Sequence, residues 1–175
     1  MAGEGTGPAA GKLDEADRRY LQRAIEISRH ALEDEGKTPF GAVLVLGDKI
    51  VGEGTSCVVE LRDPTAHAEV MALRAVGAVL GRHLFDGVLY ASSEPCPMCL
   101  VACYWARVPR VVFGATSYDV ATYGFEDLQF YRELTHASDQ RSLQEDAAGD
   151  DLRQGAAAVL RAWAEQLPFD VEPKY

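Results

Sequence analysis

Apolar residues recur along the chain with the two spacings that distinguish helices from strands. After Asp14, which can cap a helix, apolar side chains follow one another at helical spacing until about Gly36. The next apolar segment, residues 40–46, turns at Gly47 into a second one at residues 49–53. Two apolar runs joined by a short turn that contains glycine are typical of a β-hairpin, which we predict here.

The first strand of this hairpin has apolar side chains on both of its faces. Val43 and Val45 alternate with Leu44 and Leu46, and successive residues of a strand point to opposite sides of a sheet. A strand that is apolar on both faces is buried on both. We therefore expect it to lie in the centre of a sheet that is covered on either side.

Downstream, strand and helix patterns alternate. Pro64 marks the start of a second helix, with His67 in its first turn, and Pro97 marks the start of a third. Strand ends that are followed by helix starts are where open α/β sheets bind their ligands. The remaining predicted elements are two buried strands at 87–91 and 110–114 and an amphipathic helix at 155–167.

The chain is predicted to contain one folded domain with extensions at its two ends. Residues 1–12 are rich in Gly, Ala and Pro, and we expect them to be disordered. Residues 13–138 contain the domain, residues 139–154 form a polar connector, and residues 155–175 form the C-terminal helix and tail. At 175 residues, the chain is long enough to bury a core without a metal ion.

Composition limits the expected partners and the compartment. The net charge of −10 argues against nucleic acid as a partner, because affinity for phosphates comes largely from Lys and Arg. We find no secretory signal at the N-terminus, and no apolar run approaches the roughly 18 residues that cross a bilayer. Three of the four cysteines lie on one predicted helix, which suits a reducing compartment. We therefore expect a cytoplasmic protein that does not bind or span a membrane.

The segment before the third helix is the first candidate for chemistry. If that helix begins at Pro97, Cys96 lies at its N-cap, where free N–H groups and the positive end of the helix dipole favour a thiolate. Cys99 then projects from the same side of the helix. Two such thiolates are suitable zinc ligands, although Cys-x-x-Cys alone also occurs in redox pairs and in structural zinc modules.

A second motif, upstream of the cysteines, favours a catalytic zinc ion. His67 and Glu69 form His-x-Glu, and His-x-Glu followed by Pro-Cys-x-x-Cys is the signature of zinc deaminases that act on nucleobases. His67, Cys96 and Cys99 would be three ligands that leave the fourth position open for water. Glu69 could fill that position as a ligand, but only as a base does it preserve the chemistry of the water.

Cys103 is the rival fourth ligand. On a continuous helix it is seven residues from Cys96, which corresponds to a rise of about 10.5 Å. Two sulfur atoms bound to one tetrahedral zinc ion lie only about 4 Å apart. We therefore interpret Cys103 as a small buried apolar residue.

These motifs resemble those of the cytidine-deaminase-like superfamily, and within it those of the bacterial guanine deaminases. The matching segments, together with Asp119, are 39–42, 63–69, 94–100, 104–107 and 124–127. The resemblance implies an α/β fold in the form of a three-layer α/β/α sandwich with a five-stranded mixed sheet. It also implies a Zn²⁺ ion on His67, Cys96 and Cys99, with Glu69 as the proton shuttle.

The resemblance implies further site residues as well. It assigns Asp119 to catalysis, as an aid to substrate binding and proton transfer, and it places Trp105 beside the base. Spacing alone would instead make Trp105 a core residue and Asp119 a loop cap. The substrate contacts expected on this basis, besides Trp105, are Phe40, Ser56 and Ala68.

Ser56 departs from the family pattern, which has a substrate-binding asparagine at this place. An asparagine amide donates and accepts hydrogen bonds at once, whereas a hydroxyl group is shorter and reaches less far. A free guanine-like base, deaminated with release of ammonia, is our first choice of substrate. Cytosine or an amino-triazine is the alternative.

Two other functions are compatible with the motifs. The same superfamily contains deaminases of adenosine in tRNA, although the negative charge of this chain opposes phosphate contacts. The other compatible function is that of a non-catalytic zinc module, but such a module has no need of Glu69.

The pattern of the C-terminal segment predicts that two copies of the chain associate. Its helix has an apolar stripe and follows a polar connector, and exchange of a terminal element is a simple route to a dimer. We expect a homodimer in which this segment packs on the partner, with Tyr175 near the partner's substrate. The alternative is a helix that docks on its own subunit.

Overall fold

The fold is described by a computed structural model that covers residues 12–34 and 36–171. Residues 1–11, where disorder was predicted, and the chain end with Tyr175 lie outside the described residues. The strands are β1 (Gly41–Leu46), β2 (Lys49–Thr55), β3 (Gly87–Ser93) and β4 (Arg110–Ala115). The α-helices are α1 (Glu15–Arg29), α2 (Val58–Leu61), α3 (Ala68–Leu80), α4 (Pro97–Trp105), α5 (Ser117–Thr122), α6 (Asp127–Glu133) and α7 (Asp150–Ala164).

The strands form one mixed sheet in the order β2-β1-β3-β4. β1 is antiparallel to both of its neighbours, and β3 is parallel to β4. The predicted hairpin and the central position of its first strand are thus confirmed. The prediction of five strands is wrong for the described residues, in which the sheet has four.

The chain turns into helices where a fifth strand could have followed β4. Thr116 and Asp119 form a capping box in which each side chain binds the backbone N–H of the other residue. This arrangement satisfies free N–H groups at a helix start. It begins α5 directly after β4, and α6 follows a short turn later.

The two faces of β1 bury different helices, as the alternation of its residues predicted. Val43 and Val45 pack in one core cluster with Tyr20 and Ala24 of α1. Leu44 packs in the other cluster with residues of α3 such as Ala72 and Val76. The side chains of Val43 and Leu44 are fully buried. Helices therefore cover both faces of the sheet.

Glycine allows α3 to lie directly against β2. A Cβ atom at Gly54 would overlap the backbone of Ala68 and Ala72. No side chain can be accommodated between the strand and the first turn of the helix. The close approach fixes the N-terminus of α3, and with it His67, relative to the sheet.

A buried ionic contact connects α1 to the sheet. Asp17 is 4% exposed and receives two hydrogen bonds, of 2.8 and 2.7 Å, from the guanidinium group of Arg110 on β4. The hydroxyl of Tyr90 on β3 donates a third bond of 2.8 Å to the same carboxylate. The Arg110 guanidinium holds the pKa of Asp17 at about 2, below its usual value of 3.8.

We predict that Asp17→Asn lowers the free energy of unfolding by about 2 kcal/mol, because charge-assisted hydrogen bonds are lost from a buried position. Urea denaturation at pH 7 measures this change. Glu26→Gln is the matched control, since it removes a solvent-exposed ion pair with Arg23 on the same helix. Such pairs contribute little, so the control should remain within about 0.5 kcal/mol of wild type. Equal effects of the two changes would contradict the prediction.

The same contact predicts how stability depends on pH. The pKa of Asp17 is lower in the folded chain than in the unfolded one, so its contribution is fully present above about pH 4. The contribution is lost as the pH falls from about 4 towards 2. Wild type should therefore lose more stability than Asp17→Asn over this range, whereas parallel losses would contradict the assignment.

The chain divides into two compact units, the first ending at Thr135 and the second beginning at His136. The second unit contains a 3₁₀ turn, Ser138–Gln140, and the helix α7. This helix begins at Asp150, within the segment predicted as a connector, and ends at Ala164 rather than at 167. Asp150 and Asp151 occupy its first turn, where negative charge is favourable. Within the described residues, no helix combines the length and the apolarity needed to span a membrane.

Candidate metal and catalytic site

Two helix N-termini meet at the candidate site. His67 is the N-cap of α3, and Cys96 is the N-cap of α4, with Pro97 at the first helical position as predicted. Cys99 lies in the first turn of α4. The positive ends of both helices are thus directed at the same point, which favours thiolate and carboxylate groups there.

The start of α3 differs slightly from the prediction. The helix begins at Ala68, so His67 precedes its first turn. The carboxylate of Asp63 accepts hydrogen bonds from the amide and hydroxyl of Thr65, at 2.8 and 2.7 Å. Ala66 donates its amide to the Asp63 carbonyl. These bonds form a separate turn that delays the helix.

Three side chains form a cluster that could hold a metal ion. The ligand atoms of His67, Cys96 and Cys99 all lie within 4.8 Å of one another. Nδ1 of His67 is 3.6 Å from Sγ of Cys96, about the separation of two ligands on one tetrahedral zinc ion. One imidazole and two thiols are also the donor types that zinc prefers. The residues present therefore fit Zn²⁺.

The electrostatics of the cluster favour an ionised thiol at Cys96. Hydrogen bonds from Cys99 and His67 lower the pKa of Cys96 to about 4. The pKa of Cys99 is raised, because its thiol shares a hydrogen bond with the Cys96 thiolate and is buried. The Cys96 thiolate likewise raises the pKa of His67. Of the three groups, only Cys96 is thereby shifted towards its metal-binding form, the thiolate, whereas Cys99 and His67 must each release a proton when a cation binds.

Glu69 lies beside the cluster without belonging to it. Its side chain lines the same cavity as His67 and Cys96, and the residue is 5% exposed. Burial raises the pKa of Glu69 from 4.5 to about 7. A carboxyl group that titrates near neutral pH can both take up and release a proton. Among the described residues, Glu69 is not one of the clustered ligands, and its role as the base stays a prediction.

The cavity next to the cluster has a volume of about 190 Å³. Its ionisable lining consists of His67, Glu69, Cys96 and Asp127. Asp127 begins α6, and burial together with the Cys96 thiolate raises the pKa of its carboxyl group. The cavity therefore contains two carboxyl groups, those of Glu69 and Asp127.

Aromatic and hydroxyl side chains complete the cavity wall. Phe40 and Phe125 pack edge to face, with ring centroids 4.8 Å apart. Ser56 is buried in the wall, and its hydroxyl accepts a hydrogen bond of 2.6 Å from Thr38. Ser93 adds a further hydroxyl group. A flat heterocycle could pack on the phenyl rings and be oriented by the polar groups.

The structure brings together only some of the predicted site residues. Asp119 is exposed, and its carboxylate accepts hydrogen bonds from the amide and hydroxyl of Thr116. It lines a neighbouring groove and not the cavity of Glu69. Trp105 ends α4 and is 75% exposed, so it is not a core residue, and it does not line the cavity either. Ala68 is fully buried in the first turn of α3.

Cys103 lies in the core, as its distance from Cys96 predicted. It is 2% exposed, packs in the cluster of Leu44, and burial raises the pKa of its thiol to about 12. It is not among the clustered ligands of the described residues. Its environment is that of an apolar side chain.

Five residues of the cavity wall were not predicted from the sequence: Thr38, Val58, Ser93, Phe125 and Asp127. The run 124–127 was matched to the family, but no role was given to its members. The available signal was that Phe125 and Asp127 belong to this matched run. For Thr38 the sequence contains no comparable signal, because its contact with Ser56 spans 18 residues.

Comparison with known families agrees with this site. Residues 14–115 match the family described as "Cytidine and deoxycytidylate deaminase zinc-binding region". The matched segment contains all three clustered ligands and Glu69. The chain belongs to this deaminase family, whose members bind zinc.

Individual relatives narrow the comparison. The chain is 42% identical over 125 residues to guanine deaminase of Bacillus subtilis (strain 168), covering 71% of this chain and 80% of the relative. The crystal structure of guanine deaminase from Bacillus subtilis superposes with a TM-score of 0.81 at 34% identity, covering 91% of this chain and 99% of that one.

Two further comparisons concern other substrates and ligands. The chain is 39% identical over 118 residues to tRNA-specific adenosine deaminase of Haemophilus influenzae, covering 66% of this chain and 68% of the relative. A mutant protein solved in complex with 8-azaguanine superposes with a TM-score of 0.60 at 29% identity, covering 84% of each chain.

Proposed function

We propose that this chain is a zinc-dependent deaminase of a free aminated nucleobase, with guanine as the first choice, and that it releases ammonia. The observation that carries the proposal is the clustering of His67, Cys96 and Cys99 beside a buried Glu69 in a small cavity. A purely structural zinc module would not need a carboxyl group whose pKa lies near neutral. The cavity also has room for a ligand beside that group.

Metal binding and proton transfer are assigned to different residues of the chain. His67, Cys96 and Cys99 would hold Zn²⁺, which acts as a Lewis acid when bound and makes water a stronger acid. Glu69 accepts a proton from the attacking water and transfers it to the ring nitrogen next to the carbon under attack. Glu69 then carries the second proton to the amino group, which leaves as ammonia while a carbonyl group remains on the ring.

Asp127 is the second carboxyl group that we place at the substrate. It lies on the cavity wall, whereas the carboxylate of Asp119 is occupied by the cap of α5. A half-buried carboxylate can accept hydrogen bonds from the N–H groups of an aminated ring. We therefore assign substrate binding to Asp127, and the catalytic role expected for Asp119 stays a prediction without geometric support.

Guanine is supported by the similarity to guanine deaminase of Bacillus subtilis and to a structure that binds 8-azaguanine. Ser56, in place of an asparagine, keeps cytosine and amino-triazines as alternatives. Adenosine in tRNA is less well supported, because the net charge of −10 opposes phosphate contacts.

The test is ammonia release by the zinc-loaded full chain from guanine, adenine, cytosine and a triaminotriazine. We expect guanine to have the highest kcat/KM. Ammonia release only from cytosine or the triazine would change the choice of substrate. Release from none of the four compounds would contradict the proposal that the chain deaminates free bases. A gel shift with tRNA at low salt tests the remaining alternative, which micromolar binding would support.

We further propose a homodimer in the cytoplasm, with the helices on the two faces of the sheet forming a three-layer sandwich. Support for an interface comes from α7, where Leu152, Val159, Leu160 and Trp163 are at least 59% exposed. Deletion of residues 170–175 should impair turnover more than folding if the tail closes the partner's site. Unchanged turnover together with a monomeric mass in solution scattering would contradict both the dimer and this role.

Tyr131 contacts the loop that precedes α4 and ends at the ligand Cys96. Its hydroxyl donates a hydrogen bond of 2.6 Å to the carbonyl of Pro95, next to Cys96. Tyr131 and Asp127 lie four residues apart on α6, so one helix contacts both the loop and the cavity. We expect Tyr131→Phe to weaken zinc binding about tenfold, as the loss of other outer contacts of metal ligands does.

A chelator competition measures this effect. Tyr104→Phe is the matched control, since Tyr104 is 68% exposed on α4, and its zinc affinity should equal that of wild type. If Tyr131→Phe binds zinc as tightly as the control, the hydrogen bond does not position the loop.

A further inference from the structure

Glu94 connects the ligand loop, residues 94–96, to the start of α5. It directly follows β3, and its Oε2 atom accepts a hydrogen bond of 2.8 Å from the backbone amide of Ser117. Ser117 is the first residue of α5 and is 5% exposed. The bond satisfies an N–H group for which the helix itself has no acceptor, and a negative charge is favourable at this end of a helix.

Tyr131 holds the next residue of the ligand loop from α6. Its hydroxyl donates a hydrogen bond of 2.6 Å to the carbonyl of Pro95. Burial and the nearby charge of Glu94 raise the pKa of Tyr131, as expected when the two side chains lie close together. Two adjacent residues of the ligand loop are thus bound by two different helices.

The two helices form one support for the ligand loop and the cavity. α5 and α6 contact each other, and α6 also contacts α4. Phe125 in the turn between them and Asp127 at the start of α6 line the cavity. The support that holds the ligand loop therefore also carries the carboxyl group that we assign to the substrate.

The sheet holds the chain only as far as the amide of Glu94. This amide donates a hydrogen bond of 2.7 Å to the carbonyl of Ala115, one residue beyond the pairing of β3 with β4. Pro95 and Pro97 then flank Cys96, and their rings fix φ at about −65°. A loop as stiff as this one moves together with the helices that hold it.

We propose that Glu94 is a positioning residue that, together with Tyr131, fixes the spacing between the zinc ligand Cys96 and the carboxyl group of Asp127. The proposal builds on the deaminase function proposed above, which assigns Asp127 to the substrate. Glu94 does not line the cavity, so it acts through α5 and the ligand loop. The two contacts close a ring that consists of the ligand loop, α5 and α6. Opening the ring at either contact should have most of the effect of opening both.

A double-mutant cycle of zinc affinity, measured by chelator competition without substrate, tests the ring. Glu94→Ala should weaken zinc binding about tenfold, as we expect of Tyr131→Phe. The double variant should bind zinc only about ten- to twentyfold more weakly than wild type, because each single change already opens the ring. A loss of about a hundredfold would mean independent contacts and would overturn the proposal, as would wild-type affinity in Glu94→Ala.

Ser117→Pro removes the same hydrogen bond from the donor side. Proline has no backbone N–H and is suited to the first position of a helix, so α5 can still form. We expect the same tenfold loss of zinc affinity as in Glu94→Ala, and little further loss when the two changes are combined. Should Glu94→Ala fail to fold, the cycle is measured with Ser117→Pro and Tyr131→Phe, and the same two outcomes decide.

A conservative variant and a matched control separate positioning from stability. In Glu94→Gln the side-chain carbonyl can accept the same bond, so zinc affinity should stay within about threefold of wild type. Asp14→Ala removes a bond of 2.7 Å from the amide of Asp17 to a carboxylate at the start of α1, a helix without ligands. Its Tm should fall as in Glu94→Ala while zinc affinity is unchanged. Equal losses of zinc affinity in both alanine variants would overturn the proposal.

Turnover of guanine by the zinc-saturated chain tests the substrate side. In Glu94→Ala we expect KM to rise about fivefold and kcat to fall less than about twofold, because the displaced carboxyl group of Asp127 binds the base less well. A lower kcat at unchanged KM would overturn this half of the proposal. If wild type releases no ammonia from guanine, the proposed substrate fails, and the zinc cycle alone decides whether the ring exists.

Discussion

Glu69→Gln is expected to retain zinc and to lose about a thousandfold in kcat, the typical contribution of a positioned general base. Glutamine has nearly the same volume as glutamate, but its amide cannot accept a proton from water. Because Glu69 is buried and outside the ligand cluster, the change should leave the three ligands in place. Ammonia release gives the loss of turnover, and atomic emission gives the zinc content per chain.

Stability provides a further readout for the same variant. Burial disfavours the ionised form of Glu69, as its raised pKa indicates. A neutral side chain of the same shape should therefore keep Tm at or above that of wild type. Glu33→Gln, an exposed residue after α1, is the matched control and should leave turnover unchanged. If Glu69→Gln with full zinc retained more than a tenth of wild-type kcat, Glu69 would not be the base.

The parts of the site that the sequence predicts are those set by local chemistry. Pro97 excludes a preceding helical turn, so the position of Cys96 at the N-cap follows from its immediate neighbour. The separation of Cys96 and Cys103 follows from helix geometry alone. The hairpin of β1 and β2 follows from two adjacent apolar runs. Each of these features depends on residues that are close in the sequence.

Features that depend on distant contacts were not predicted in the same way. Asp119 and Asp127 are both acidic and both follow β4, and the sequence does not reveal which of them reaches the cavity. The capping box with Thr116 occupies Asp119, whereas the turn at Gly124 directs the start of α6 towards Cys96. The geometry of that turn decides between the two carboxylates. Sequence spacing contains no information about it.

The same reasoning applies to Trp105 and to the number of strands. Large aromatic residues are usually buried, yet Trp105 lies at the end of α4 with most of its surface exposed. Whether a second copy of the chain covers it depends on assembly, which the hydrophobic pattern of one chain does not specify. The expectation of five strands came from the family and not from an apolar run in this chain. After β4, the described residues form helices.

Cys99→Ala should abolish zinc binding and Cys103→Ala should not, although the two residues lie four positions apart on α4. Removal of Cys99 leaves only His67 and Cys96 as ligands, so we expect zinc content to fall from one ion per chain to near zero. Ammonia release should become undetectable. Removal of Cys103 deletes one buried sulfur atom from the core and should lower the free energy of unfolding by about 1 kcal/mol. Its zinc content and turnover should match wild type.

Atomic emission, chelator competition and ammonia release on the two variants measure the difference. The pair is matched because both thiols are buried on the same helix and both are replaced by the same side chain. A general effect of opening the core would weaken zinc binding in both variants. If Cys103→Ala lost zinc while Cys99→Ala kept it, the ligand set would be wrong. If both variants kept one zinc ion and full turnover, Cys99 would not be a zinc ligand.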